Sequence, residues 1–203
     1  MLPALLIVTV GAAAAGTPSG WNLELELNGF YQLGERFYLA PVASVDRGPL
    51  HLEARYNYED LHTGTLFAGW GFRRGSEDTF VRAVPMVGGS IGRSPGVLPG
   101  LELEAGWWRL SYWLELEYLV NVKDSADSFF YTWSELTLEV TSFLWVGGSW
   151  QRFKQARSDR DLDVGPMIGG GIGPVSLSFY YYGLGTSERW ALITLDVRFP
   201  KGK

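Results

Sequence analysis

The chain contains no cysteine, so neither disulfides nor thiolate metal sites contribute to it. Histidine is nearly missing as well: His51 and His62 are the only two. A nucleophilic enzyme needs a base beside its nucleophile, and two histidines with no assignable serine partner give that chemistry little support. No basic cluster is present and the net charge is −5, which argues against nucleic acid as a partner. Lysine is scarce, with Lys123, Lys154, Lys201 and Lys203 all in expected loops or the tail. A water-soluble sheet scatters lysine over its wet face and edges. Here the polar strand faces carry Glu, Arg, Asn, Ser and Gly instead. No run reaches the roughly 20 apolar residues of a spanning helix. The apolar stretch 2–15, LPALLIVTVGAAAA, is shorter and ends in small residues. That pattern predicts a signal peptide over 1–16, cut near Ala15 or Gly16, and a single domain over 17–203.

Alternation is what the chain has in abundance. Aromatics make up 15% and glycines number 26, as suits a sheet protein with tight turns. The clearest stretch is GLELEAGWWRLSYWLELEY, residues 100–118. Successive side chains of a strand point to opposite faces, so each arm has an apolar face and a glutamate face. A bend at Trp108-Arg109 that pairs Trp107 with Leu110 sets Leu103 opposite Leu114 and Glu102 opposite Glu115. Like faces then merge, as the period-2 register requires. Similar alternation predicts twelve strands: 21–32, 37–46, 49–59, 64–73, 79–91, the two arms of this hairpin, 129–141, 143–153, 161–171, 174–182 and 189–199. Pro41, Pro85 and Pro166 fall inside three of these, where a missing N–H predicts a bulge or a shifted boundary. Ten strands is the alternative count.

Connections after even strands tend to be tight turns, and those after odd strands longer and polar, such as 92–100, 122–128 and 154–160. This is the pattern of an outer-membrane barrel. Over nearly all of residues 17–203 the chain resembles bacterial outer-membrane β-barrel proteins, particularly uncharacterised ones of about twelve strands. The phrases RYNYEDL (55–61) and FFYTWSEL (129–136) carry that likeness, and ALITLDVRF (191–199) is similar to their C-terminal assembly signal. The resemblance implies an all-β, closed antiparallel transmembrane barrel in the cell outer membrane. It implies contact with membrane lipid and the barrel assembly machinery, and assigns no activity. Trp21, Tyr31, Trp107, Tyr118, Trp150 and Trp190 lie near strand ends, where an interfacial girdle is expected. The tryptophans and tyrosines are read as lipid anchors rather than as a sugar-stacking track.

The polar faces supply the candidate lining of a pore: Glu53, Arg55, Arg82, Glu102, Glu104, Glu115, Glu117, Glu135, Glu139, Asp196 and Arg198. Rings of carboxylates favour cations, which predicts a small channel for ions or small polar solutes. The bland alternative is a Glu–Arg network that plugs a narrow barrel with a structural or binding role, and a soluble periplasmic carrier is the third reading. Asp159, Asp161 and Asp163 have calcium-loop spacing, but Val164 and Gly170 stand where Gly and Glu are needed. The GGGIG run at 169–173 precedes a strand rather than a helix, so a nucleotide site fails too. No cofactor, metal site or catalytic residue is expected. His51 and His62 are assigned ordinary polar surface roles, His51 near a turn at the periplasmic rim and His62 in a loop.

Overall fold

A computed structural model describes residues 20–32, 37–155, 161–186 and 189–200. The expected leader lies outside those residues, as do Asp159 and Lys201–Lys203. Thirteen strand segments follow one another: β1 Asn22–Gln32, β2 Tyr38–Arg47, β3 Leu50–Tyr56, β4 Thr63–Trp70, β5 Phe72–Gly75, β6 Thr79–Gly92, β7 Gly96–Trp107, β8 Leu110–Asn121, β9 Phe129–Thr141, β10 Leu144–Gln155, β11 Asp161–Ile172, β12 Val175–Tyr182 and β13 Trp190–Pro200. Apart from β4 and β5, each pairs antiparallel with its chain neighbour, and β13 pairs with β1. β4 and β5 both lie against β6 and are one barrel strand interrupted at Gly71. Among the described residues the sheet closes into a barrel of twelve strands, β13 against β1.

The register follows from sequence alternation. Trp107 faces Leu110, Leu103 faces Leu114 and Glu102 faces Glu115, as the hairpin pattern requires. Apolar residues such as Leu66, Ile91, Leu177 and Ile193 project outward and are exposed. Tyr31, Trp107 and Tyr118 do the same at strand ends. A continuous apolar outer wall fits hydrocarbon and not water, which argues against a soluble carrier. Among the described residues, no helix is long and apolar enough to cross a membrane.

The prolines do not produce the expected bulges. The register of β1–β2, β6–β7 and β10–β11 runs unbroken through Pro41, Pro85 and Pro166. Each instead sits where the ladder on its other side stops. β2 meets β3 only from Val42, β11 meets β12 only from Met167, and Pro85 lies against the break between β4 and β5. Pro99 occupies a similar gap in β7–β8, between the Val97 and Gly100 pairs. A residue without an N–H is accommodated where no ladder partner waits for it. The register shift that does occur is at Leu144/Trp145.

Candidate functional site

Asn22 of β1, Pro200 of β13 and the short turns such as Trp108-Arg109 lie at one end of the barrel, and longer connections such as 57–62 and 122–128 lie at the other. Near the turn end the inner wall encloses a cavity of about 160 Å³. Nine carboxyl groups line it: Glu24, Glu26, Asp46, Glu53, Glu102, Glu104, Glu115, Glu135 and Asp196. Three arginines, Arg55, Arg82 and Arg198, offset them in part. The alternating strands dictate this convergence, since every second residue of a barrel strand points inward.

Several of these charges are tied to one another. Arg198 Nε donates to Glu24 Oε1 at 3.0 Å, and Ser176 donates to Asp196 Oδ2 at 3.1 Å. Arg82 Nη2 donates to Asp46 Oδ1 at 3.1 Å. Both carboxylate oxygens of Glu104 are buried with no hydrogen-bond partner. Deeper in, one guanidinium serves four carboxyl groups. Arg55 Nε reaches Glu53 at 2.5 Å, and its Nη1 reaches Glu117 at 2.6 Å, Glu115 at 3.1 Å and Glu59 at 3.6 Å. Tyr58 donates to Glu115 at 3.2 Å, and Thr65 donates to Glu59 at 2.8 Å. The Arg55 side chain is 1% exposed, against 28% for Arg198 and 35% for Glu24. Access therefore falls from the turn end inward.

Two apolar clusters pack inside the barrel, one beyond the Arg55 layer and one that reaches the cavity through Trp133, Trp145 and Tyr180. Phe67, Met86, Leu98, Leu119 and Phe129 form one buried cluster, joined by Tyr131 and Phe153. Trp133, Trp145, Met167, Tyr180, Tyr182 and Leu192 form a second. Aromatic rings run between them: Trp113 meets Trp133 edge-on at 5.6 Å, Trp133 meets Tyr180 at 5.7 Å, and Tyr182 stacks on Trp190 at 4.0 Å. Phe30 extends the series to Tyr38 at 4.7 Å. Some polar tips are paired inside it, as Trp133 Nε1 donates to Ser149 Oγ at 2.9 Å and Ser149 shares a 2.7 Å bond with Tyr182 OH, while Trp145 Nε1 is buried without a partner. The Trp145 indole crosses Gly169, where a Cβ would lie 2.3 Å from the ring.

Glu53, Arg55, Arg82, Glu102, Glu104, Glu115, Glu135, Asp196 and Arg198 all line the cavity. Glu117 is sealed against Arg55, and Glu139, opposite Trp145, does not line it. Two readings need correction. Trp190 is no girdle residue, since it turns inward and stacks on Tyr182, and Trp113, Trp133 and Trp145 are interior too. His51 is not a surface residue either, at 3% exposure inside the barrel. His62 lies exposed between β3 and β4, as expected. The alternation did set Trp113 among the glutamates of β8. The weight given to tryptophan as a lipid anchor hid that signal.

The fold is a closed antiparallel barrel of twelve strands, and solved outer-membrane porins have a similar fold. The KdgM porin superposes with a TM-score of 0.64 at 10% identity, over 87% of this chain and 99% of that one. The KdgM porin in complex with disordered oligogalacturonate gives 0.62 at 9% identity, with the same coverage. The outer membrane protein Omp33 of Acinetobacter baumannii gives 0.50 at 13% identity, over 91% of this chain and 99% of that one. No family model matches the chain, and no curated protein matches it in sequence.

Proposed function

We propose that the protein is an outer-membrane channel for small cations and small polar solutes, with a cation-preferring lumen. The observation that carries this reading is the charge of the cavity, nine carboxyl groups against three arginines. Fixed negative charge on low-dielectric walls concentrates cations and repels anions. A similar barrel is known with oligogalacturonate, a chain of sugar carboxylates. The acidic wall here disfavours such a polyanion and suits cationic or uncharged solutes, and the rings of Trp113, Trp133 and Tyr180 that line the cavity suit contact with them. The proposed pore lining is Glu53, Arg55, Arg82, Glu102, Glu104, Glu115, Glu135, Asp196 and Arg198. Conduction is the proposed activity rather than catalysis.

The test is conductance of the purified, refolded barrel in a planar bilayer under a salt gradient. Small steps are expected, with a reversal potential on the cation side. Glu102→Gln with Glu115→Gln is expected to reduce that preference. The apolar cluster of Phe67, Met86, Leu98, Leu119 and Phe129 favours a second reading, a barrel closed by its own side chains with a structural or binding role. Electrical silence from folded protein overturns the channel and leaves the closed barrel.

A further inference from the structure

Inside the barrel, His51 is paired through only one of its two ring nitrogens. It stands on β3 with its imidazole inside the barrel, 3% exposed. Its Nδ1 lies 3.0 Å from Asp46 Oδ1, and Asp46 is itself fixed by Arg82 at 3.1 Å. The other ring nitrogen, Nε2, is buried without a hydrogen-bond partner. It points to Glu53 Oε2 at 4.0 Å, while Glu53 Oε1 is taken by Arg55. Glu102, from β7 across two intervening strands, completes the group, and the three ligand atoms lie within 4.8 Å of one another.

We infer that His51, Glu53 and Glu102 form a binding site for a divalent first-row metal ion, with Asp46 orienting the imidazole. One nitrogen and two carboxylate oxygens are a donor set that zinc and its neighbours accept, with a further position left for water. Asp46 on Nδ1 sets the tautomer that leaves Nε2 free to bind, which is the usual carboxylate–histidine–metal arrangement. A tetrahedral ion with bonds near 2 Å holds its ligands roughly 3.3 Å apart. Modest side-chain rotation at Glu53 and Glu102 closes the gaps to that spacing. The ion also supplies positive charge to a cavity rich in carboxyl groups. A hydrogen bond between His51 and Glu53 is the competing arrangement, and 4.0 Å is too long for one. The site stands on these residues alone and does not depend on solute passage.

Zinc chloride titrated calorimetrically into the chelator-treated, refolded barrel in detergent tests it. One zinc per chain is expected, with affinity reduced at least tenfold in His51→Gln and in Glu102→Gln and unchanged in His62→Gln. Asp46→Asn is expected to lose 10–100-fold, the usual effect of removing an orienting partner. Folding of each variant is checked by heat-modifiable migration. Should His51→Gln fail to fold, cobalt added to the unmodified protein provides the second reading, through visible ligand-field bands that excess calcium does not remove. Zinc binding equal in His51→Gln and the parent, no binding at all, or displacement by equimolar calcium overturns the inference. Those outcomes leave the conductance prediction untouched.

Discussion

The two halves of the barrel interior are built by the same strands and have opposite chemistry. Toward the turns, β1 points Glu24 and Glu26 inward, and toward the loops it points Phe30 inward. β7 does likewise with Glu102 and Glu104 against Leu98, and β8 sets Glu115 and Glu117 below Leu119. The outer face stays apolar throughout. On these strands the inward positions pass from glutamate to apolar side chains, with buried polar groups such as Asn28 and Asn121 among them, and Thr63 and Ser90 on β4 and β6. The boundary is the Arg55 layer. Below it charge is reachable by water, and above it the lumen is packed like a protein core.

Removing the boundary should have the largest effect. Arg55→Met leaves Glu53, Glu59, Glu115 and Glu117 buried without their shared cation. Breaking a buried pair from one side costs about 3–5 kcal/mol. Denaturant unfolding should show a loss of that order, partly restored when Glu115→Gln and Glu117→Gln are added. An unchanged midpoint would mean that the layer does not separate the halves.

Thinning the apolar half comes next. Leu98 and Leu119 are both fully buried. Truncating such a side chain costs about 2–5 kcal/mol, the size depending on how far the site collapses. Leu98→Ala with Leu119→Ala should therefore destabilise the barrel and raise its single-channel conductance. A large cost with no change in current would place the resistance elsewhere. On the aromatic side, Gly169→Ala pushes a methyl into the Trp145 ring, which lies 2.3 Å from the ideal Cβ position. Overpacking of this kind costs about 1–3 kcal/mol, measurable as a lowered unfolding midpoint.

The acidic half was legible in the sequence and the apolar half was not, for a physical reason. Glutamate on alternate positions declares a wet face, and a two-residue turn then fixes its partner, so Glu102 opposite Glu115 follows from the hairpin alone. On β12 and β13 both faces are apolar or aromatic near the loops, and alternation no longer says which side is inside. Trp190 and Tyr182 could then be read as membrane anchors, although they stack on each other within the lumen. The prolines misled for a related reason. Their local rule predicts a disturbance, and where it falls depends on which neighbouring ladder ends there. The metal-site candidates divide the same way. Asp46 opposite His51 follows from the β2–β3 turn, whereas Glu102 reaches them only because the barrel closes.

The smallest effect on stability, and the finest test of the acidic half, comes from Glu104. Its carboxylate is buried with neither oxygen hydrogen-bonded, whereas Glu24 is held by Arg198 at 3.0 Å. A buried carboxyl with no partner is poorly placed to hold a charge, and replacing it by an amide breaks no contact. Glu104→Gln should thus leave the unfolding midpoint unchanged or slightly higher. It should also lower cation preference less than Glu24→Gln, because Glu24 is the more accessible carboxylate, at 35% side-chain exposure. The two reversal potentials, measured under one salt gradient, make the comparison. A larger shift from Glu104→Gln would mean that the interior of the cavity, and not its rim, selects the ion.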